Sequence, residues 1–397
     1  MNRTDVLAEK QKIVDAVDKR DSEFREISLK IHAHPELGFE EYKASKWLAD
    51  YLEQEGFTVE RGVAGLETAF IATWEGSSEG PTIGILAEYD ALRGLGHACG
   101  HNIIGTSAVG AGIALKDAFP DLPGKIKVIG TPAEEGGGGK VIMTEEGVFD
   151  DLDAAMMTHP GNKTMVLRGG IACVGATFKF YGKEAHAAGS PELGINALDA
   201  LMNSFAAINS LREHFPDDVR VHGIVTHGGD AANIVPGYCE ASFVVRAKTR
   251  KKLEGIKERV YNAVRHSTAA VGATCEIIEG VTFAERNNNV PLAHLYKANL
   301  ESIGVEVLAP PKDGGLGSSD IGNVGQVIPT IHPYIRIGDG GGHTPEFEKD
   351  SKSESGMIGQ NQATKAMAMT AYDLCVNPDA LQSVKDSFEI WKSTKDE

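Results

Sequence analysis

Between residues 68 and 158 short apolar runs alternate with helical patterns, and no other feature restricts this chain so strongly. Residues 68–74, 82–87, 125–130 and 154–158 read as strands, while 103–118 and 140–146 read as helices. Strands that take turns with helices give an α/β fold, a central sheet with helices on both faces. Upstream, residues 4–32 read as one long amphipathic helix, with Val14, Ala16, Val17, Phe24, Ile27 and Ile31 on its apolar stripe. A second helix over 41–55 ends at Gly56.

At about Gly170 the pattern changes. Residues 172–181, 221–227, 238–247 and 274–282 alternate as strands, and 194–214 and 250–270 are helical. The order β-α-β-β-α-β is that of a small α/β sandwich inserted into a larger domain. The chain then resumes with a helix over 291–302, a strand over 327–335 and a helix over 352–375. The expected division is therefore 1–171 and 286–397 as two parts of one catalytic domain, with 172–285 between them. A chain of 397 residues is in any case too long for one ordinary core.

Charge and cysteine content exclude several roles. The formal net charge is -17 and no basic stripe is visible, so nucleic acid is not an expected partner. No apolar run approaches the ~20 residues that span a bilayer. The polar N-terminal segment lacks the apolar core of a signal peptide. Five scattered cysteines do not form an even disulfide framework, which favours a reducing compartment. A soluble cytoplasmic protein is expected.

Candidate chemistry gathers just beyond the strands. His97-Ala98-Cys99-Gly100-His101 follows the strand that leads into Glu88 and Asp90. Thiolate and imidazole are preferred zinc ligands, although this cluster alone also suits a loop cysteine with incidental histidines. Glu134 and Glu135 follow another strand and precede four glycines. Adjacent carboxylates at a strand end can divide their work, one holding metal and one acting as general base. A lone Glu-Glu pair is more often a solvated turn, but the glycine run brings the backbone close to a ligand. His159 and His343 each follow an apolar segment. His186, among small residues in the inserted domain, suits a loop that reaches over a cleft. Competing motifs fail: Val141 stands where a Walker loop needs Ser or Thr, and neither Gly-x-Ser-x-Gly nor His-Glu-x-x-His occurs.

Taken together, Glu88-Tyr89-Asp90, Gly96-His97-Ala98-Cys99-Gly100-His101-Asn102, Thr131-Pro132-Ala133-Glu134-Glu135-Gly136, Gly182-Lys183-Glu184-Ala185-His186 and Gly342-His343-Thr344-Pro345 resemble the M20 metallopeptidase family, specifically its D subfamily of amidohydrolases. The strings occur in that family's order across nearly the whole chain. The resemblance implies a catalytic domain with an inserted lid and dimerisation domain, acting as a homodimer. It implies two divalent metal ions per subunit, zinc or manganese, held by Cys99, His101, Glu135, His159 and His343. Glu134 would be the general base, His186 would polarise the scissile carbonyl across a dimer interface, and Asn233 and Arg246 would hold the substrate. Asp90 would orient a ligand from behind. The implied substrate is a small amide such as a dipeptide, an N-acyl amino acid or an aminobenzoyl-glutamate-like compound. Asn102 and Ser318-Ser319-Asp320 depart from the subfamily's usual Asp and Ser-Glu-Asp. Two other readings remain: a metal-independent thiol hydrolase using Cys99, and an inactive small-molecule binder.

Overall fold

A computed structural model describes residues 3–311 and 317–395. The chain forms two compact units, one running up to Gly169 and resuming at Arg286, the other spanning Gly170–Glu285. In chain order the strands are β1 (Thr58–Arg61), β2 (Phe70–Glu75), β3 (Thr82–Ala87), β4 (Lys125–Gly130), β5 (Ala154–Met156) and β6 (His159–Gly161). They continue with β7 (Ala172–Tyr181), β8 (Arg220–His227), β9 (Tyr238–Ala247), β10 (Thr274–Phe283), β11 (Thr330–Ile331) and β12 (Tyr334–Arg336).

The first unit is built on a six-stranded sheet of order β1-β2-β4-β3-β5-β11. The four strands β4, β3, β5 and β11 run parallel, and β2 and β1 complete the sheet antiparallel. A parallel strand with both faces covered must be apolar almost throughout, as β3 is, with Ile83 to Ala87 all buried. The helix His101–Ala118 is likewise buried from His101 to Leu115, because its residues are apolar or small on every side.

Three sequence expectations change in this unit. The helix expected over 4–32 is two helices, Arg3–Lys19 and Asp21–His32, broken at Arg20 (φ -104°, ψ 6°). The Arg20 guanidinium meets Glu55 at 2.7 Å and Asp117 at 2.9 Å, long-range partners that periodicity cannot reveal. The strand expected over 327–335 is two short pieces, β11 and β12, which pair with β5 and β6 in different sheets. Pro329 and Pro333 supply no N–H and interrupt a continuous ladder. A further helix, Pro378–Thr394, follows the expected C-terminal one, capped by the Asn377 side chain with proline in its first turn.

The second unit is a four-stranded antiparallel sheet of order β10-β7-β9-β8, as the β-α-β-β-α-β reading requires. Its helices Ala197–Leu211 and Arg250–Ala270 share one core with the strands, where Leu201, Val260 and Val264 join Phe178 and Phe243. Burial alternates strictly along β7 and β9, the sign of a sheet covered on one face. β8 lies at the sheet edge, and Ile224 and Val225 on it are 65% and 46% exposed. Among the described residues, no helix is long and apolar enough to cross a membrane.

Candidate metal centre

Parallel strands present their C-terminal ends along one sheet edge, and the chemistry collects there. β3 runs into Glu88 and Asp90, β4 into the turn that carries Glu134 and Glu135, and β5 into His159. His101 is the first residue of its helix, entered through Gly100 in the left-handed region (φ 77°). A side chain at Gly100 would also come within 2.9 Å of Pro160, so only glycine lets Cys99 and His101 approach His159. His343 is held in the left-handed region as well (φ 64°), with its N–H donated to the Ala98 carbonyl at 2.8 Å. Non-glycine residues rarely sit there, and such strain concentrates at functional sites.

The side chains converge closely. Cys99 Sγ lies 3.4 Å from His159 Nε2, and His343 Nε2 lies 3.2 Å from Glu135 Oε1. His101 Nδ1 is 2.8 Å from Asp90 Oδ1, leaving Nε2 toward Glu88 Oε2 at 3.4 Å and Glu135 Oε1 at 3.9 Å. The second Asp90 oxygen accepts the Glu135 backbone N–H at 2.9 Å. His159 Nδ1 bonds the Pro160 carbonyl at 2.6 Å, which keeps its Nε2 available. Three sets have ligand atoms within 4.8 Å of one another: Cys99, His101 and His159; Cys99, Glu135 and His343; and Glu88, His101 and Glu134. Cys99 is common to the first two, so one thiolate reaches both.

Charge explains what this arrangement needs. Glu88, Asp90, Glu134, Glu135 and Asp320 crowd together, with Lys140 the buried ammonium among them. Burying that many carboxylates is costly unless positive charge is supplied. Burial, reinforced by Glu88 and Glu135, pushes the Glu134 carboxyl well up. Burial also raises the Cys99 thiol and lowers His159 to about 3, so His159 is neutral and ready to ligate at any ordinary pH. Buried Nε2 of His101 has no hydrogen-bond partner among the described residues. Divalent ions fit this donor set, since they answer the negative charge and the orphaned nitrogen together.

His343 and Glu135 titrate in opposite senses. The hydrogen bond to Glu135 raises His343. Burial pushes Glu135 up, but His343 and His101 outweigh it and the net shift is down. A raised histidine stabilises the fold fully below its unfolded pKa of ~6.5, and that contribution is lost as pH rises through the folded value. A lowered glutamate stabilises above its unfolded ~4.3, and that is lost as pH falls through the folded value. The metal-free protein is therefore expected to be helped most by this pair between those two values. Thermal midpoints across pH test this, and His343→Ala should flatten the alkaline side of the profile.

The remaining expected residues lie in the second unit. His186 Nδ1 accepts backbone N–H groups from Gly189 at 2.9 Å and Ala188 at 3.2 Å, which leaves Nε2 carrying the proton as a donor. Asn233 sits beside it, its carbonyl accepting the Ala187 N–H at 3.0 Å. Arg246 does not join them. It lies near the far end of β9, opposite Cys173 and Arg220 in register.

Sequence reading missed Lys140 and its link to Glu88 and Asp320. Lys140 is fully buried, with Nζ 2.5 Å from Glu88 Oε1 and 2.7 Å from Asp320 Oδ1. The available signal was the departure at Ser318-Ser319-Asp320, which coincides with a lysine after the glycine run.

Comparison with known proteins finds relatives along most of the chain. Residues 172–271 match the family described as a peptidase dimerisation domain. An Xaa-Arg dipeptidase of Mus musculus is 35% identical over 96% of this chain and 92% of its own length. A p-aminobenzoyl-glutamate hydrolase chain of Escherichia coli is 38% identical over 66% of this chain and 59% of its own. A putative aminohydrolase of Staphylococcus aureus superposes with a TM-score of 0.77 at 20% identity, covering 92% of this chain and 100% of that one. A Bacillus subtilis protein described as a dinuclear metal binding peptidase of the M20 family gives 0.67 at 20% identity, covering 90% and 99%. At that identity these two show likeness of fold.

Proposed function

The chain belongs to the M20 metallopeptidase family and hydrolyses amide bonds, and from that premise we propose a two-ion dipeptidase whose ions are held by Cys99, His101, Glu135, His159 and His343. The observation that supports this most is the excess of buried carboxylate around a cysteine sulfur shared by two ligand sets. Bound there, divalent ions supply Lewis-acid polarisation and acidify a water toward a pKa of ~7. Glu134 would take a proton from the attacking water on its carboxylate and return it to the leaving nitrogen, a task suited to a carboxyl that burial holds high. Asp90 holds His101 in the tautomer that leaves Nε2 free. A thiolate with two imidazoles favours zinc by softness, with manganese as the second choice.

His186 donates Nε2–H to the scissile carbonyl, and Asn233 and Arg246 bind the substrate's carboxylate end. One protomer cannot bring all three to one small substrate. Tyr238 to Arg246 spans eight steps of β9, roughly 26 Å at ~3.3 Å per residue, and Asn233 precedes Tyr238. The active form is therefore a homodimer in which one chain lends His186 and Asn233 to a partner's Arg246. Mixing inactive His186→Ala and Arg246→Ala protomers should restore activity at roughly a quarter of the sites, since half of randomised dimers carry one intact site. No recovery after proven exchange of protomers would defeat the shared site. His186→Ala alone should lower kcat ~10²–10³-fold, as for loss of an oxyanion donor. Near-normal turnover would remove His186 from the mechanism.

The substrate is a dipeptide with a basic C-terminal residue, the class named in the Xaa-Arg dipeptidases. A net charge of -17 attracts such cations. A panel of Xaa-Arg and Xaa-Lys dipeptides, N-acyl amino acids and aminobenzoyl-glutamate, assayed with and without chelator, tests this. Preferential cleavage of the last two groups would redirect the assignment. Cys99, Cys239, Cys275 and Cys375 form no disulfide, which suits the reducing cytoplasm.

A further inference from the structure

The Lys140 ammonium lies between two carboxylates, and all three side chains have no exposed surface. A buried charge is tolerated only when well paired, and Lys140 has unusually firm partners. Asp320 is gripped twice by the same residue, at 2.7 Å from Nζ and at 2.9 Å from the Lys140 backbone N–H. The helix bearing Lys140 begins at Gly139, where a Cβ would fall 2.0 Å from the Pro132 carbonyl, so this approach also requires glycine. Lys140 Nζ then takes Glu88 Oε1 at 2.5 Å, while Oε2 stays 3.4 Å from His101 Nε2.

Glu88 thus borders the very nitrogen assigned to hold an ion, and it forms a ligand set with His101 and Glu134. Among the described residues, Lys140 supplies the ammonium that pairs with that carboxylate and draws it away from the ligand set. A catalytic metal must keep one position open for water and substrate. We propose that Lys140 is a positioning residue: anchored by Asp320, it ties down Glu88 and so keeps the coordination position beside His101 open. Lysine here does what a neutral residue cannot, because Glu88 would otherwise find its counter-charge on the ion. This inference rests on the two-ion reading above.

The test uses full-length protein loaded with cobalt(II), whose visible absorption weakens as coordination number rises. In Lys140→Met, the cobalt band should lose intensity while metal content stays at the wild-type level. kcat should fall ~10²-fold, as for a misplaced catalytic group, with little change in KM. Adding Glu88→Gln to that variant should return the wild-type spectrum. Glu88→Gln alone should leave the spectrum unchanged, and it retains a fold-competent polar side chain if Lys140→Met fails to fold. An unaltered spectrum in Lys140→Met, or an altered one in Glu88→Gln alone, overturns the proposal. Wild-type protein that binds no cobalt would overturn the two-ion reading itself.

Discussion

Glu134→Gln is expected to lower kcat by ~10³–10⁴-fold, the upper range for loss of a general base, while zinc content stays at the wild-type level. Glutamine has the same shape and fills the same buried place, so packing is preserved. KM should change little, since the lost function is proton transfer rather than substrate binding. The substitution should also stabilise the metal-free protein. The Glu134 carboxyl is pushed up by burial and then by Glu88, Glu135 and Asp320, so its ionised form opposes folding. The sign follows from linkage: a raised acid costs stability as pH climbs through its folded pKa, and a neutral amide removes that cost. A higher thermal midpoint with almost no turnover is the joint signature of a strained catalytic group. Retention of most activity would show that Glu134 is not the base.

Removal of metal is the second large effect. Chelation should abolish turnover, and zinc added back should restore it. It should also lower the thermal midpoint, because an ion that binds only the folded state stabilises by ~4 kcal/mol when present at 1,000 times its Kd. Without ions, the carboxylates around His101 are left with Lys140 and with the His101 imidazole, which Asp90 and Glu88 push upward, as buried counter-charges among the described residues. Alkylation separates this from the thiol mechanism. Cys99 is only 8% exposed and burial raises its thiol, so it should react slowly with iodoacetamide even after the metal is stripped. Turnover that survives the chelator but not the alkylating agent would make Cys99 the nucleophile instead.

The candidate ligands were legible because each lies in a short string just past an apolar run. Strand ends are local features, and a parallel sheet aligns them at one edge whatever the intervening sequence. Asp90 was legible for the same reason, two residues beyond Glu88 at the end of β3. The inserted unit was legible from its strand and helix periods, which are also local.

Other features required contacts between distant residues. Lys140 and Asp320 are 180 positions apart, and a fully buried lysine runs against the usual fate of that residue. The break at Arg20 leaves no mark on the apolar stripe, and the partners of its guanidinium, Glu55 and Asp117, are remote in sequence. The helix Pro378–Thr394 is different: its Asn-Pro start is a local signal, so its absence from the expected elements has no long-range cause.

By itself, then, the sequence determined the α/β architecture, the inserted second unit and the residue types available for metal and proton chemistry, since periodicity and strand-end motifs act over a few residues. Only the tertiary structure decided which carboxylates share one buried space, that Lys140 answers two of them, and that Arg246 lies a strand's length from His186 and Asn233. Those outcomes depend on distance and on the cost of burying charge, and both arise only when remote segments meet.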